Sequence, residues 1–428
     1  MKKLLVAFIA VAFVAGLVAQ TAVAEERLSL TGAMRARAWN TSNYSDLDSD
    51  NHTDELQYWD QRFRVQATIA PADGVKGVLR WDFAETTWGS NGTELDGNRP
   101  TAGTDNQLQV DRAYLDVTKG IINVKAGLQY MGLGTNYAYD NNATGLQLTF
   151  TTPVVIRVGW AKESEGGAST DLDAEDSGID TDGDGVDDST QDIDQYFLDL
   201  MYSADTFTVE GFYAFQKDGR KSDDTANGVE EPTLLGVMGK AAFGPINVLA
   251  ELDMFGGQYN DDVDYTGTQF VGDVGFNLND QVTLGVDLIY SNGNKDDDKT
   301  KITYMPHATF GSVGYADYGA FNTDLMPLGA TDVFDPLGTE AGAMGGGVYA
   351  KFVPIETLTL YGQIVYLVGQ EDEDGMFENG TIFNLSGQWA FTQNAHLALG
   401  YNYTSASLKE VDDLDNATAI MARIQIDF

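Results

Sequence analysis

The sequence predicts an all-β chain, specifically a transmembrane antiparallel β-barrel of about 18 strands with short periplasmic turns and long outer loops. Three observations lead there. Apolar and polar residues alternate along the chain in runs of about ten, the length that crosses the hydrocarbon at a tilt. The connectors between the runs alternate between short and long. No stretch beyond the N-terminus approaches the unbroken apolar run of a membrane helix. The last twelve residues are the clearest case. Thr418, Ile420, Ala422, Ile424, Ile426 and Phe428 fall on one face, and Ala417, Ala419, Met421, Arg423, Gln425 and Asp427 on the other. A closed barrel with lipid outside and water inside requires that pattern in every strand, because no backbone polar group may be left unpaired in hydrocarbon.

The first 24 residues stand apart. Lys2 and Lys3, the apolar stretch from Leu4 to Val18 and the small residues Ala22-Val23-Ala24 have the order of a cleaved secretory signal peptide. That leaves 25–428 as a single barrel domain. Alternating runs are then expected at Arg27–Trp39, Gln57–Ile69, Val75–Phe83, Gln107–Thr118, Ile122–Met131 and Gly145–Phe150. They continue at Val154–Ala161, Gln195–Tyr202, Phe207–Gln216, Thr233–Phe243, Ile246–Met254 and Gln269–Leu278. The last are Val282–Tyr290, Gly347–Val353, Leu358–Val368, Thr381–Phe391, Ala395–Thr404 and Ala417–Phe428. Gly145–Phe150 and Gly347–Val353 are marginal in length, so sixteen strands are possible if one weak run belongs to a loop.

Short connectors carry turn residues, such as Pro71-Ala72-Asp73-Gly74, Lys119-Gly120 and Gly244-Pro245. Long ones, at 40–55, 89–106, 162–194, 217–231 and 291–346, are rich in Asp, Asn and Gly. Aromatic residues mark both ends of the strands. Trp59, Tyr130, Trp160, Tyr213, Tyr290, Tyr366 and Tyr403 lie toward the long loops. Phe150, Tyr202, Phe243, Phe276, Phe352, Phe391 and Phe428 lie toward the short turns. Two such bands are what two membrane interfaces select.

Composition narrows the function. The chain has no Cys, which removes thiol catalysis and thiolate metal sites. With 65 acidic against 25 basic residues, a net charge of −40, nucleic acid is excluded as a partner. His52, His307 and His396 form no spacing that supports a catalytic pair, and no phosphate-binding loop is present. An enzyme is not expected.

Taken together, the leader, the acidic chain, the alternating strands, the loop asymmetry and the terminal Phe428 resemble a Gram-negative outer-membrane porin. The nearest likeness is to the homotrimeric porins of sulfate-reducing bacteria. In such proteins the aromatic closing strand is the insertion signal. The resemblance implies a place in the outer membrane, contact with its lipid and lipopolysaccharide, a homotrimer, and a water-filled channel for passive diffusion of small hydrophilic solutes and ions. Alternatives are a solute-specific porin or a surface adhesin or anchor. Small residues on the outer face of the end strands, Gly32, Ala36, Ala38 and Ala422, would allow another barrel to approach, with 89–106 as the latch.

Assigning each strand's apolar parity to lipid turns the opposite parity inward. The pore lining then includes the basic residues Arg35, Arg37, Arg62, Arg64, Arg80, Arg112, Lys125, Arg157 and Arg423. Asp60, Asp82 and Asp116 interrupt them. The acidic lining is Asp199, Glu210, Glu251, Asp253, Asp273 and Asp287, on the other half of the wall. Opposed walls of unlike charge set a field across the lumen; alternatively these charges only solvate the interior or pair with one another. By family analogy the third outer loop, Gly132 to Asn142 with Tyr137, Tyr139 and Asp140, forms the constriction; 291–346 is the other candidate.

One loop carries a metal-like motif. In Asp180-Thr181-Asp182-Gly183-Asp184-Gly185-Val186-Asp187-Asp188, carboxylates at alternate positions and a Gly at the bend suit calcium. Asp180, Asp182, Asp184 and Asp188 are the candidate ligands. Gln191 stands where an EF-hand has Glu, so the run is closer to short Asp-rich repeats. A solvated acidic loop is the alternative reading.

Overall fold

The computed structural model describes residues 27–43, 55–88, 109–164, 193–218, 231–260, 262–294, 301–303, 342–371, 377–411 and 414–428. The strands run in chain order as β1 (Leu28–Ser42), β2 (Leu56–Ala72), β3 (Val75–Thr87), β4 (Gln109–Lys119) and β5 (Ile122–Leu133). Next come β6 (Tyr139–Phe150), β7 (Val154–Ser164), β8 (Ile193–Ser203), β9 (Phe207–Asp218) and β10 (Glu231–Phe243). They are followed by β11 (Ile246–Asn260), β12 (Val263–Tyr265), β13 (Gly267–Asn277), β14 (Val282–Ser291) and β15 (Lys301–Ile302). The last are β16 (Ala343–Ile355), β17 (Leu358–Gly369), β18 (Phe377–Thr392), β19 (Ala395–Leu408) and β20 (Ala417–Asp427).

All but two of these form one antiparallel wall in which each strand pairs with its sequence neighbours, and β1 pairs with β20 from Ala33↔Asp427 to Ser42↔Thr418. The wall is therefore a closed barrel of eighteen strands. The two short pieces, β12 and β15, pair in parallel with each other beside β11. All eighteen expected runs are wall strands, and the two marginal ones lengthen to Tyr139–Phe150 and Ala343–Ile355, which removes the sixteen-strand option.

Burial alternates as a barrel in lipid requires. On β14, Leu284, Val286 and Leu288 are exposed while Asp287, Ile289 and Ser291 are buried. On β20, Ile420, Ile424 and Ile426 are exposed while Met421 and Arg423 are buried. Large apolar groups outside and polar ones inside invert the arrangement of a protein folded in water. Gly120 and Gly244 hold the tight turns after β4 and β10 at φ of 61° and 60°, a region other residues adopt with strain.

The seam has one feature that changes an expectation. Phe428 exchanges backbone hydrogen bonds with Gly32, N–H to O in both directions at 2.8 and 3.0 Å. Its ring lies where a Gly32 side chain would stand, 5.9 Å from the Phe63 ring. Gly32 is thus small to seat the chain's own terminal aromatic, and it is not an open position for a second barrel.

Candidate functional site: an inward hairpin and a charged inner wall

The β5–β6 hairpin leaves the wall. β4 pairs with β5 only as far as Ala113↔Leu128, and β7 pairs with β6 only from Thr144↔Lys162. Yet β5 and β6 remain paired with each other to Leu133↔Tyr139. Residues 129–143 therefore form a ribbon whose strand ladder is paired only with itself, closed by a five-residue turn at 134–138. The departure line is marked by Gly127 and Gly145, which face each other across the ribbon. A Cβ at Gly127 would strike the carbonyl oxygen of Ala113, and one at Gly145 that of Trp160. Gly127 also takes φ 123°, where an L side chain is strained. The sequence expectation of an outer loop at Gly132–Asn142 is corrected accordingly, since much of it is strand. Tyr130, expected in the outer aromatic band, instead lies under the Arg112 guanidinium at 5.2 Å.

Once inside, the ribbon is fastened at several points. Arg157 on β7 donates from Nη2 to the carbonyl of Gly132 at 2.8 Å, and from Nε to Asp199 at 2.9 Å. Tyr139 donates its hydroxyl to Gln195 at 3.1 Å. At the tip, the N–H of Gly134 donates to Glu210 at 2.9 Å and that of Thr135 to Glu251 at 2.5 Å. Hydrogen bonds to charged acceptors are each worth about 1.5–3 kcal/mol. Dry packing adds to them. Met131, Leu133, Ala138 and Tyr139 are buried against Phe197, Phe212, Leu234 and Phe255 of the inner wall. Tyr137 reaches farther, onto Val271, Ile289, Val365 and Leu367. Phe197 and Phe212 lie over the glycines directly opposite them, Gly159 and Gly236, so the rings sit close to the wall.

The sequence-derived acidic residues thus divide into groups. Asp199, Glu210 and Glu251 are buried and hold the ribbon. Asp253, two residues from Glu251, is wholly buried as well. Asp273 and Asp287 face each other across β13 and β14, and Asp287 accepts from Gln363 at 2.6 Å.

The basic residues lie mainly on β1 to β4 and β20, where acids interleave with them. Arg37 pairs with Asp60 at 2.8 Å, Arg64 with Asp82 at 2.5 Å, and Arg80 with Asp111. Arg35 stands directly opposite Arg62, and Arg37 opposite Arg423. Lys125 lies over the Tyr114 ring at 5.7 Å, and Asp116 accepts from Asn123. Asp111 was not legible by parity. A register shift between Arg80 and Trp81 places it beside Arg112, and it faces Arg64, Arg80 and Arg112 together. The inward apolar residues Phe197, Phe212 and Phe255 were also missed, although each stands at an inner parity position where a polar residue is the rule.

The calcium motif Asp180, Asp182, Asp184 and Asp188 lies outside the described residues, as do most of the segment 291–346 and the proposed latch 89–106. Among the described residues, no group of three or more acidic or imidazole side chains converges as a metal site.

No family model matches the chain, and no curated protein matches it in sequence. Solved structures do match in fold. Acinetobacter baumannii OccAB2 aligns at TM-score 0.57 and 10% identity, over 94% of this chain and 98% of that one. Pseudomonas aeruginosa OccK5 (OpdH) aligns at 0.55 and 14%, over 94% and 99%. Pseudomonas aeruginosa OccK11 (OpdR) aligns at 0.55 and 10%, over 94% and 96%. At these identities the likeness is one of fold.

Proposed function

We propose that the chain is a Gram-negative outer-membrane channel for passive diffusion of small hydrophilic solutes and ions, with the 129–143 ribbon as its constriction. The observation that carries this reading is the ribbon itself: a self-paired hairpin folded into a closed barrel whose exposed face is apolar and whose inner face is charged. The passage runs between the ribbon and the arginine-bearing strands. The acids that hold the ribbon are buried, and the facing wall is a mixed one in which Arg37, Arg64 and Arg80 pair with Asp60, Asp82 and Asp111. The net negative charge resides largely in the loops, whose fields decay over about 8–10 Å in salt. The channel therefore favours cations weakly at low ionic strength, through its acidic mouth, and loses that preference as salt rises and the inner wall dominates.

A homotrimer in contact with lipid and lipopolysaccharide is part of the same proposal. So is calcium at Asp180, Asp182, Asp184 and Asp188. The test of diffusion is liposome swelling with a graded sugar series. Rates that fall smoothly with solute size support a general pore. A single preferred solute with saturation supports the solute-specific alternative, and no swelling refutes both.

A further inference from the structure

The contact between the ribbon's tip and the wall contains an electrostatic imbalance. Glu251 and Asp253 stand two residues apart on the inner face of β11, and their carboxyl groups act directly on each other. Both are buried, Asp253 at 0% exposure. Neither oxygen of Asp253 accepts a hydrogen bond among the described residues, and neither does Oε1 of Glu251. No Lys, Arg or His of the described residues pairs with either carboxylate. Directly opposite Asp253, across the β11–β13 ladder, stands Gln269. It too is wholly buried, and both its amide oxygen and its amide nitrogen lack partners among the described residues. Thr135, whose N–H bonds Glu251, brings a buried hydroxyl to the same place.

Two carboxylates within reach of each other and out of water, with Thr135 as the one donor to Glu251 and none to Asp253 among the described residues, repel each other and have lost their hydration. Either a shared proton or a metal cation must lie between them. No described side chain supplies the positive charge. The set left over consists of hard oxygens: two carboxylates, an amide carbonyl and a hydroxyl. Calcium takes such mixtures, in flexible geometry and with water completing the shell, and its double charge matches the pair. The other nearby acid, Glu210, is already engaged by Gly134 and lies 3.8 Å from Arg157.

We propose that Glu251, Asp253 and Gln269 form a calcium site, with Thr135 at its edge, that fastens the tip of the inward ribbon to the barrel wall. The site is separate from the Asp180–Asp188 motif, and it does not depend on the chain conducting ions.

The test uses the folded full chain in detergent, with Asp180, Asp182, Asp184 and Asp188 all changed to Asn so that the loop motif contributes nothing. Radioactive calcium is equilibrated with the protein, and bound calcium is counted per folded chain. Folding is verified by the mobility shift on heating. The expected result is about one calcium per chain, lost in Asp253→Asn and weakened at least tenfold in Gln269→Met. That second variant removes a neutral ligand without altering charge, and it serves if Asp253→Asn does not fold. Chelation should also speed hydrogen exchange at the amides of Gly134 and Thr135. Absence of bound calcium overturns the proposal and assigns the compensating charge to a shared proton. Equal binding in a folded Asp253→Asn or Gln269→Met chain overturns it as well.

Discussion

Among the described residues, Arg157 is the side chain that bridges the wall acids and the ribbon's backbone, so its removal should loosen the constriction while sparing the barrel. It donates to Asp199 at 2.9 Å and to the Gly132 carbonyl at 2.8 Å, and lies 3.8 Å from Glu210. Arg157→Met keeps most of the apolar stem that packs near Phe197 but leaves two buried carboxylates without their cation. Breaking a buried pair from one side costs about 3–5 kcal/mol. That cost falls on the docked ribbon, because the eighteen-strand ladder does not use this guanidinium. At 1.4 kcal/mol per tenfold, the undocked population rises about 100- to 4000-fold. Hydrogen exchange reads it directly: the amides of Gly134 and Thr135, which bond only across the lumen, should exchange faster by that factor, with little change in β13 to β20. Single-channel current should become larger or noisier. Unchanged exchange at both tip amides, together with unchanged current, would refute the assignment of Arg157 as the clamp.

Gly145→Val should force its side chain against the Trp160 carbonyl and cost about 1–3 kcal/mol; protection should fall across 129–143 and hold in the wall strands, and uniform loss would contradict the hinge. Arg62→Glu, opposite Arg35 on the inner face, should move the reversal potential toward cations at every salt concentration; an unmoved potential would place Arg62 away from the solute path. Cross-linking in mild detergent should give a three-chain species that heat dissociates, whereas a monomer by native mass measurement would end the trimer proposal. Phe428→Ala should leave a gap over Gly32 and beside Phe63 and, since the ring is half exposed, cost about 0.5–3 kcal/mol at the seam, read as a lower unfolding temperature of the folded barrel.

The wall was legible in the sequence because lipid imposes the same rule on every strand. Leu284, Val286 and Leu288 could face only outward, and Asp287 only inward. The turns were legible for a local reason, since Gly120 and Gly244 hold backbone angles that other residues avoid. The ribbon was placed only by family analogy, and as a loop, because Gly132 to Asn142 shows no alternation that would mark its strands, and periodicity cannot say whether a strand has neighbours. Its only local signals were Gly127 facing Gly145 and the inner-parity aromatics that receive it. Asp111 escaped for a related reason: one shifted residue in the β3–β4 register reverses its face. Three of the acids expected on the inner face, Asp199, Glu210 and Glu251, also hold the ribbon, a role that depends on Gly134 and Thr135 arriving from 76 and 116 residues away in sequence.

The central claim is that this barrel conducts through a lumen narrowed by its own β5–β6 ribbon. The most direct measurement is single-channel conductance of the purified, folded chain in planar bilayers, compared with a chain in which residues 130–142 are replaced by a short Gly-Ser turn. The account predicts stepwise openings in the parent and steps several-fold larger in the variant, with the same folded mobility. Equal step sizes would contradict a constriction at the ribbon, and a folded parent that passes no current would contradict the channel itself.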